Sequence, residues 1–179
     1  TLEDVFVRNF PGLLRWNPKK KYDFWLPSMS LPLVTGEYQP CSKPYLTACS
    51  KHVEKWQGKL PMKSGFFSFN WTGSSNFSQN SFRDVPIDYL LSKLKRSVNV
   101  NVCLETDYNP SGMMDLRKDI KTWEDTLAVL ALSNGVFSSC SSVAHAAGAI
   151  GKKAHVYTRP DDYFTWSSTE SGAKSKWYD

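Results

Sequence analysis

From Lys63 onward, short apolar runs alternate with longer segments of helical periodicity. The apolar runs are rich in aromatic and β-branched residues, which predicts buried strands, and the segments between them predict amphipathic or small-residue helices. The predicted strands are 65–71, 98–105, 135–139 and 153–158, and the predicted helices are 86–96, 122–133 and 142–151. This alternation indicates an α/β fold with a Rossmann-like parallel sheet flanked by helices. Right-handed crossovers would place the carboxyl ends of all the strands on one edge.

Residues 1–62 follow a different pattern, in which short apolar pieces alternate with turns rich in proline and glycine. One amphipathic helix is predicted over 50–60, with Ser50 as its cap and Pro61 just beyond its end. We therefore expect two parts: 1–62 as a connector or the tail of a preceding domain, and 63–179 as a Rossmann-like domain.

Composition narrows the class of protein further. The 179 residues are 41% hydrophobic and 14% aromatic, enough for a packed core, so general disorder is not expected. The net charge of +5 is a mild surplus that fits an anionic small molecule or ordinary surface lysines. No nucleic-acid-binding motif is present, so no nucleic-acid partner is predicted.

The four cysteines show neither a CxxC pair nor a histidine at metal-ligand spacing. A reducing, cytoplasmic location and a site without metal are the simplest expectations. No apolar run reaches membrane-spanning length, so peripheral membrane contact is the most that is predicted.

The run of serines at 138–142 is the strongest candidate for a ligand site. It follows a predicted strand and opens a helix of Ala, Gly and Val, and open α/β sheets bind ligands at this edge. A helix start offers unpaired N–H groups and a positive dipole end, which favours phosphate. Ser141 and Ser142 could add hydroxyl donors, although an ordinary serine N-cap on a buried helix fits the same pattern. His145, one turn further on, is either a ligand contact or a structural histidine.

Two more predicted strand ends carry polar residues on the same edge. Thr72, Gly73 and Ser74 form a small loop after the first strand, and Arg83 follows as a candidate for bidentate phosphate contact or as an ordinary surface arginine. Glu105 ends the second strand and could accept ribose hydroxyls, as acidic residues do in dinucleotide folds. A minor alternative is that Glu105 and Asp107 match an acidic D-x-D metal motif, although matches of three residues arise by chance.

With these loops on one edge, the chain resembles the carboxyl-terminal domain of glycosyltransferase family nine, the ADP-heptose lipopolysaccharide heptosyltransferases, and most closely their relatives fused to tetratricopeptide repeats. The likeness runs over about residues 60–179. It is carried by "WTGS", "RDVPI", "NVCLE", "TWEDTLAVL", "VFSSCSSVAHAAGAIG" and the tail with Trp166, Trp177 and Tyr178. The main departure is Cys140 with Ser141, where many members carry Asp-Thr.

The resemblance implies the carboxyl-terminal half of a GT-B glycosyltransferase, which binds a nucleotide-sugar donor for inverting transfer to a glycan, lipopolysaccharide or protein acceptor without metal or other cofactor. In such a protein 1–62 would be the tail of the amino-terminal domain and a linker, and 63–179 the Rossmann-like nucleotide-sugar-binding domain, truncated at both ends. It implies donor contacts from the residues named above, Thr72, Gly73, Ser74, Arg83, Glu105, Ser141, Ser142 and His145. The general base would come from a missing amino-terminal domain, so this chain by itself is expected to bind the donor but not to transfer sugar.

Two alternatives stay open at this point. The chain could be a non-catalytic nucleotide- or sugar-binding module that keeps the fold, or an interaction partner of a repeat array that binds no nucleotide. Cys140 beside a helix start and His145 also permit a cysteine nucleophile, but no residue that would orient the histidine is evident.

Overall fold

The structure is a computed structural model that describes residues 1–39, 42–73, 84–94, 101–104, 113–158, 166, 175, 177 and 178. In these residues lie six α-helices and five strands. The helices are α1 (Leu2–Asn9), α2 (Leu31–Thr35), α3 (Ser50–Gln57), α4 (Ile87–Leu94), α5 (Trp123–Leu132) and α6 (Ser142–Ala149). The strands are β1 (Phe67–Asn70), β2 (Asn101–Cys103), β3 (Met114–Asp115), β4 (Gly135–Ser139) and β5 (Ala154–Tyr157).

The five strands form one sheet in the order β3-β2-β1-β4-β5, and every pair of neighbours is parallel. This confirms the predicted α/β fold with a parallel sheet, and all four predicted strands are present. The sequence did not predict β3, because two residues are too short to produce a pattern. All strands therefore end on the same edge, as expected.

Strand β1 lies at the centre of the sheet, and the helices that follow β1 and β4 cover opposite faces. Ile87 of α4 packs with Phe69 and Cys103 on one face. Val143 of α6 packs with Val136 and α5 on the other. The chain thus moves away from β1 in one direction through β2 and in the other through β4. The gap between the carboxyl ends of β1 and β4 is the topological switch point of the sheet, where open α/β folds bind ligands.

The start of α5 is anchored by a capping box. Thr122 accepts a hydrogen bond from the Asp125 backbone N–H at 3.2 Å, and the Asp125 carboxylate accepts one from the Thr122 N–H at 3.1 Å. The Thr-x-x-Asp spacing ahead of an apolar run is the sequence signature of such a capping box. The same carboxylate accepts hydrogen bonds from Lys55 Nζ (2.7 Å) and Trp56 Nε1 (2.9 Å), so it also ties α3 to α5.

The amino-terminal helices differ from the prediction in two ways. Cys49, rather than Ser50, occupies the N-cap position of α3, and the helix ends at Gln57 ahead of Gly58. Helix α1 was not predicted, yet its Val5 is fully buried in the core with Leu127 and Leu130 of α5. Arg8 of α1 adds two hydrogen bonds to Glu124, at 2.8 and 2.9 Å.

Residues 10–39, which we call the arm, expose most of their large apolar side chains. Phe24 and Trp25 are 93% and 85% exposed. Within the described residues, no helix has the length and apolar character needed to cross a membrane.

Candidate functional site

The switch point holds a hydrogen-bonded network that joins the ends of β1 and β4. Asn70 lies beside Ser138 in the parallel register. The Asn70 amide donates to the Thr72 carbonyl at 2.9 Å, and the Ser139 hydroxyl donates to the same carbonyl at 3.2 Å. The Ser141 hydroxyl donates to Asn70 Oδ1 at 3.1 Å. Because Asn70 and Ser139 are buried, these bonds fix the two strand ends relative to each other.

The serine run forms the strand-to-helix turn that the sequence predicted. Ser138 and Ser139 end β4, Ser141 is the N-cap residue of α6, and Ser142 is its first residue. The Cys140 N–H is not one of the free donors of this turn, because it donates to the Tyr157 carbonyl at 3.0 Å as the β4–β5 ladder ends.

Helix α6 starts without a side-chain cap. The Ser141 hydroxyl, which would ordinarily accept a bond from the first turn, lies instead 3.1 Å from Asn70 Oδ1 and 3.0 Å from Ser138 Oγ. The N–H groups of Ala144 and His145 reach back to the Ser141 carbonyl, and the earlier N–H groups of the turn have no acceptor inside the helix. Ser142 is exposed at this point, so an anion from solvent can reach the helix start.

Thr72 and Gly73 lie next to this helix start, at the end of β1. Thr72 is half-buried, and its hydroxyl donates to the carboxylate of Asp84, an exposed residue of the segment that leads into α4. The structure therefore brings Thr72, Gly73, Ser141 and Ser142 to one edge of the sheet. Ser74, Arg83 and Glu105 lie outside the described residues, and their roles stay predictions.

His145 is on the same helix but faces an aromatic cluster. Its ring stacks on Trp166 with centroids 4.6 Å apart, and its Nδ1 lies 2.9 Å from the hydroxyl of Tyr178. Trp166 also donates from Nε1 to Cys140 Sγ at 2.9 Å. Burial lowers the pKa of His145, which favours the neutral imidazole at neutral pH.

Two residues of this site escaped sequence reasoning. Asn70 is the centre of the network. The sequence signal that could have identified it is an asparagine near the end of a predicted buried strand, where an amide needs hydrogen-bond partners. Gly148 is one of the small residues of α6, and a Cβ at this position would overlap the Tyr178 ring. Among the described residues, no three His, Cys, Asp or Glu side chains are grouped as metal ligands.

Comparison with known proteins finds no matching family model, no similar curated protein and no similar solved structure. What can be said of function therefore depends on the fold and on the geometry at the switch point.

Proposed function

We propose that this chain is the donor-binding portion of an inverting glycosyltransferase of GT-B architecture, and that it holds a nucleotide sugar for transfer to a glycan, lipopolysaccharide or protein acceptor. The observation that carries the proposal is the uncapped start of α6 at the topological switch point. A diphosphate suits this place because it is accessible, its free N–H groups are donors, and the helix dipole favours negative charge.

The same feature suggests what the chain contributes to chemistry. In glycosyl transfer from a nucleotide sugar, the nucleoside diphosphate leaves with increasing negative charge. Backbone N–H groups that are already oriented can stabilise that charge without reorganising. The Asn70–Ser141 bond matters here, because it turns the serine hydroxyl away from the helix start and leaves those N–H groups for the ligand.

A non-catalytic binding module remains the second candidate, and one observation favours it. His145 and Cys140, the titratable groups closest along the chain to the helix start, are both engaged by aromatic side chains: Tyr178 bonds to His145, and Trp166 to Cys140. Neither is therefore placed as a base or nucleophile. In the transferase hypothesis the base comes from a second domain, and the exposed apolar side chains of the arm offer a surface on which such a domain could pack.

The test is binding of ADP-, GDP-, UDP- and CDP-sugars by thermal shift and calorimetry, with Ser142→Asp as the diagnostic variant. An added carboxylate at the first residue of α6 should repel the diphosphate and weaken binding by about 10- to 150-fold, equivalent to roughly 1.5–3 kcal/mol. The same carboxylate should stabilise the helix slightly, by about 0.3–1 kcal/mol, through the dipole. If Ser142→Asp loses nucleotide-sugar binding but melts at or above the temperature of the parent, the diphosphate binds at the start of α6.

Ser50→Asp is the matched control, because Ser50 is also the exposed first residue of an eight-residue helix, α3. It should leave nucleotide binding unchanged. If no nucleotide sugar binds the parent chain, the proposed function is wrong. If binding occurs but Ser142→Asp leaves it intact, the diphosphate lies elsewhere.

A further inference from the structure

Trp166 and Tyr178, which we call the aromatic clamp, hold the imidazole of His145 from two directions. Trp166 stacks on the ring with planes inclined by 18°. Tyr178 meets it at 57°, with its hydroxyl 2.9 Å from Nδ1. A stacked ring cannot tilt freely and a hydrogen-bonded one cannot rotate freely, so together the contacts restrict His145 to one orientation.

The Tyr178 ring of the clamp packs directly against α6 at Gly148. Gly148 lies one turn after His145, and the Tyr178 ring packs so closely on it that any Cβ at this position would overlap the ring. Burial, followed by the charge of Tyr45 and a side-chain hydrogen bond with Tyr45, raises the pKa of Tyr178 above its usual range, so the phenol keeps its proton. The hydroxyl that faces His145 is therefore a hydrogen-bond donor as well as an acceptor.

The direction of the Tyr178–His145 bond follows from relative acidity. An imidazole nitrogen, whose conjugate acid has a usual pKa of about 6.5, is a much stronger base than a phenol oxygen, so O–H donation to Nδ1 is the more favourable direction. The described side chains that contact the ring are those of Trp166 and Tyr178, and neither brings a carboxylate to the imidazole. Nothing among them favours an imidazolium.

We propose that Tyr178 is a positioning residue for His145: its phenol donates to Nδ1, fixes the tautomer with the proton on Nε2, and leaves Nε2–H as an oriented donor one turn from the start of α6. That this donor would serve the same diphosphate or sugar as the helix start rests on the proposed function. The Tyr178–His145 contact itself does not.

The test is NMR of the imidazole nitrogens and carbons in the 179-residue chain. Only three histidines are present, so His52→Gln and His155→Gln assign the signals of His145 by elimination. In the parent, the Nδ1 of His145 should give the signal of an unprotonated nitrogen. Tyr178→Phe removes the donor to the neutral ring, so the pKa of His145 should rise by about 0.4–1, the equivalent of one ordinary hydrogen bond. Both tautomers should then appear.

Tyr38→Phe is the control, because Tyr38 is 65% exposed in the arm. Gly148→Ala is the second variant: it displaces the Tyr178 ring while alanine favours the helix more than glycine does, and it should reproduce the rise in pKa. A fall in the pKa of His145 in Tyr178→Phe would show that Nδ1–H is the donor and overturn the proposal, as would no change in either variant.

Nucleotide-sugar binding separates this proposal from the previous one. If the parent binds a nucleotide sugar, Tyr178→Phe should weaken that binding several-fold while the protein stays folded, and unchanged affinity would overturn the role of the positioned donor. If the parent binds none, the proposed function fails, and the NMR result still decides whether Tyr178 positions His145.

Discussion

The sheet region, by which we mean the five strands and the helices packed on them, differs from the arm. Both contain large apolar residues, but the sheet region buries them and the arm exposes most of them. Trp56 of α3 is fully buried, whereas Trp25 of the arm is 85% exposed. The arm carries four prolines, at 11, 18, 27 and 32, and forms no strand and only one short α-helix, α2, which has Pro32 in its first turn. Around the sheet, periodic spacing puts apolar residues on one face. Spacing, and not composition, determines which tryptophans enter the core.

The largest expected effect comes from making one substitution in both regions. Trp56→Ala removes a fully buried side chain and its hydrogen bond to Asp125, so the free energy of unfolding should fall by about 3–5 kcal/mol. Trp25→Ala should change it by less than about 0.5 kcal/mol. Urea unfolding followed by circular dichroism measures both. Equal losses in the free energy of unfolding would contradict this difference and would mean that the arm packs on the sheet region.

Two glycines of left-handed conformation allow a second paired test. Gly151 has φ of 71° and lies where a Cβ would be 2.6 Å from Pro44 Cγ, so Gly151→Ala should combine backbone strain with a clash and destabilise by about 2–4 kcal/mol. Gly36 in the arm has φ of 73° with open space around it. Because the strain of Gly36→Ala stays within the arm, the unfolding midpoint of the whole chain should hardly move. A comparable loss at both positions would instead show coupled unfolding.

The smallest of these effects concerns charge at the start of α5. Burial opposes ionisation of Asp125, but hydrogen bonds from Lys55, Trp56 and Thr122 outweigh it and hold the pKa of this carboxyl well below its usual range. Asp125→Asn should therefore reduce the free energy of unfolding at pH 7 by about 1–3 kcal/mol.

The pH dependence follows from the sign of that shift. A carboxyl whose pKa is lower in the folded state stabilises the fold above its unfolded value, near 4, and loses this effect as the pH falls. The difference between parent and Asp125→Asn should thus narrow in urea titrations at pH 3. Asp119→Asn is the control, because the exposed pair of Asp119 with Lys59 contributes little. If the stability difference between parent and Asp125→Asn did not change with pH, the loss would come from altered packing or hydrogen-bond geometry and not from the charge of the carboxylate.

Local patterns predicted much of this fold, and long-range contacts account for what they missed. The capping box of Thr122 and Asp125 spans four residues and is visible in the sequence. The second role of Asp125, binding Lys55 and Trp56, depends on how α3 packs against α5 and could not be read from spacing. Helix α1 was missed because its single buried residue, Val5, gives no repeat.

The candidate site shows the same division. The strand-to-helix turn at 138–142 follows from an apolar strand next to a helix of small residues, so it was predictable. The direction of the Ser141 hydroxyl was not, because its partner Asn70 ends a different strand. In the same way, Tyr178 contacts His145 across 33 residues of sequence, and no periodicity encodes that contact.

The central position of β1 has a consequence for how the chain acquires its fold. Phe67 of β1 pairs with Asn101 on one side and with Gly135 on the other. Both edges of this strand therefore stay unpaired until residues far along the chain have been synthesised. Until β4 has emerged from the ribosome, an apolar strand with an open edge is available to other nascent chains. High contact order of this kind slows folding, and synthesis from the amino terminus prolongs the exposure. We expect chains whose synthesis is arrested before residue 135 to aggregate, because the edge of β1 that pairs with β4 is then exposed.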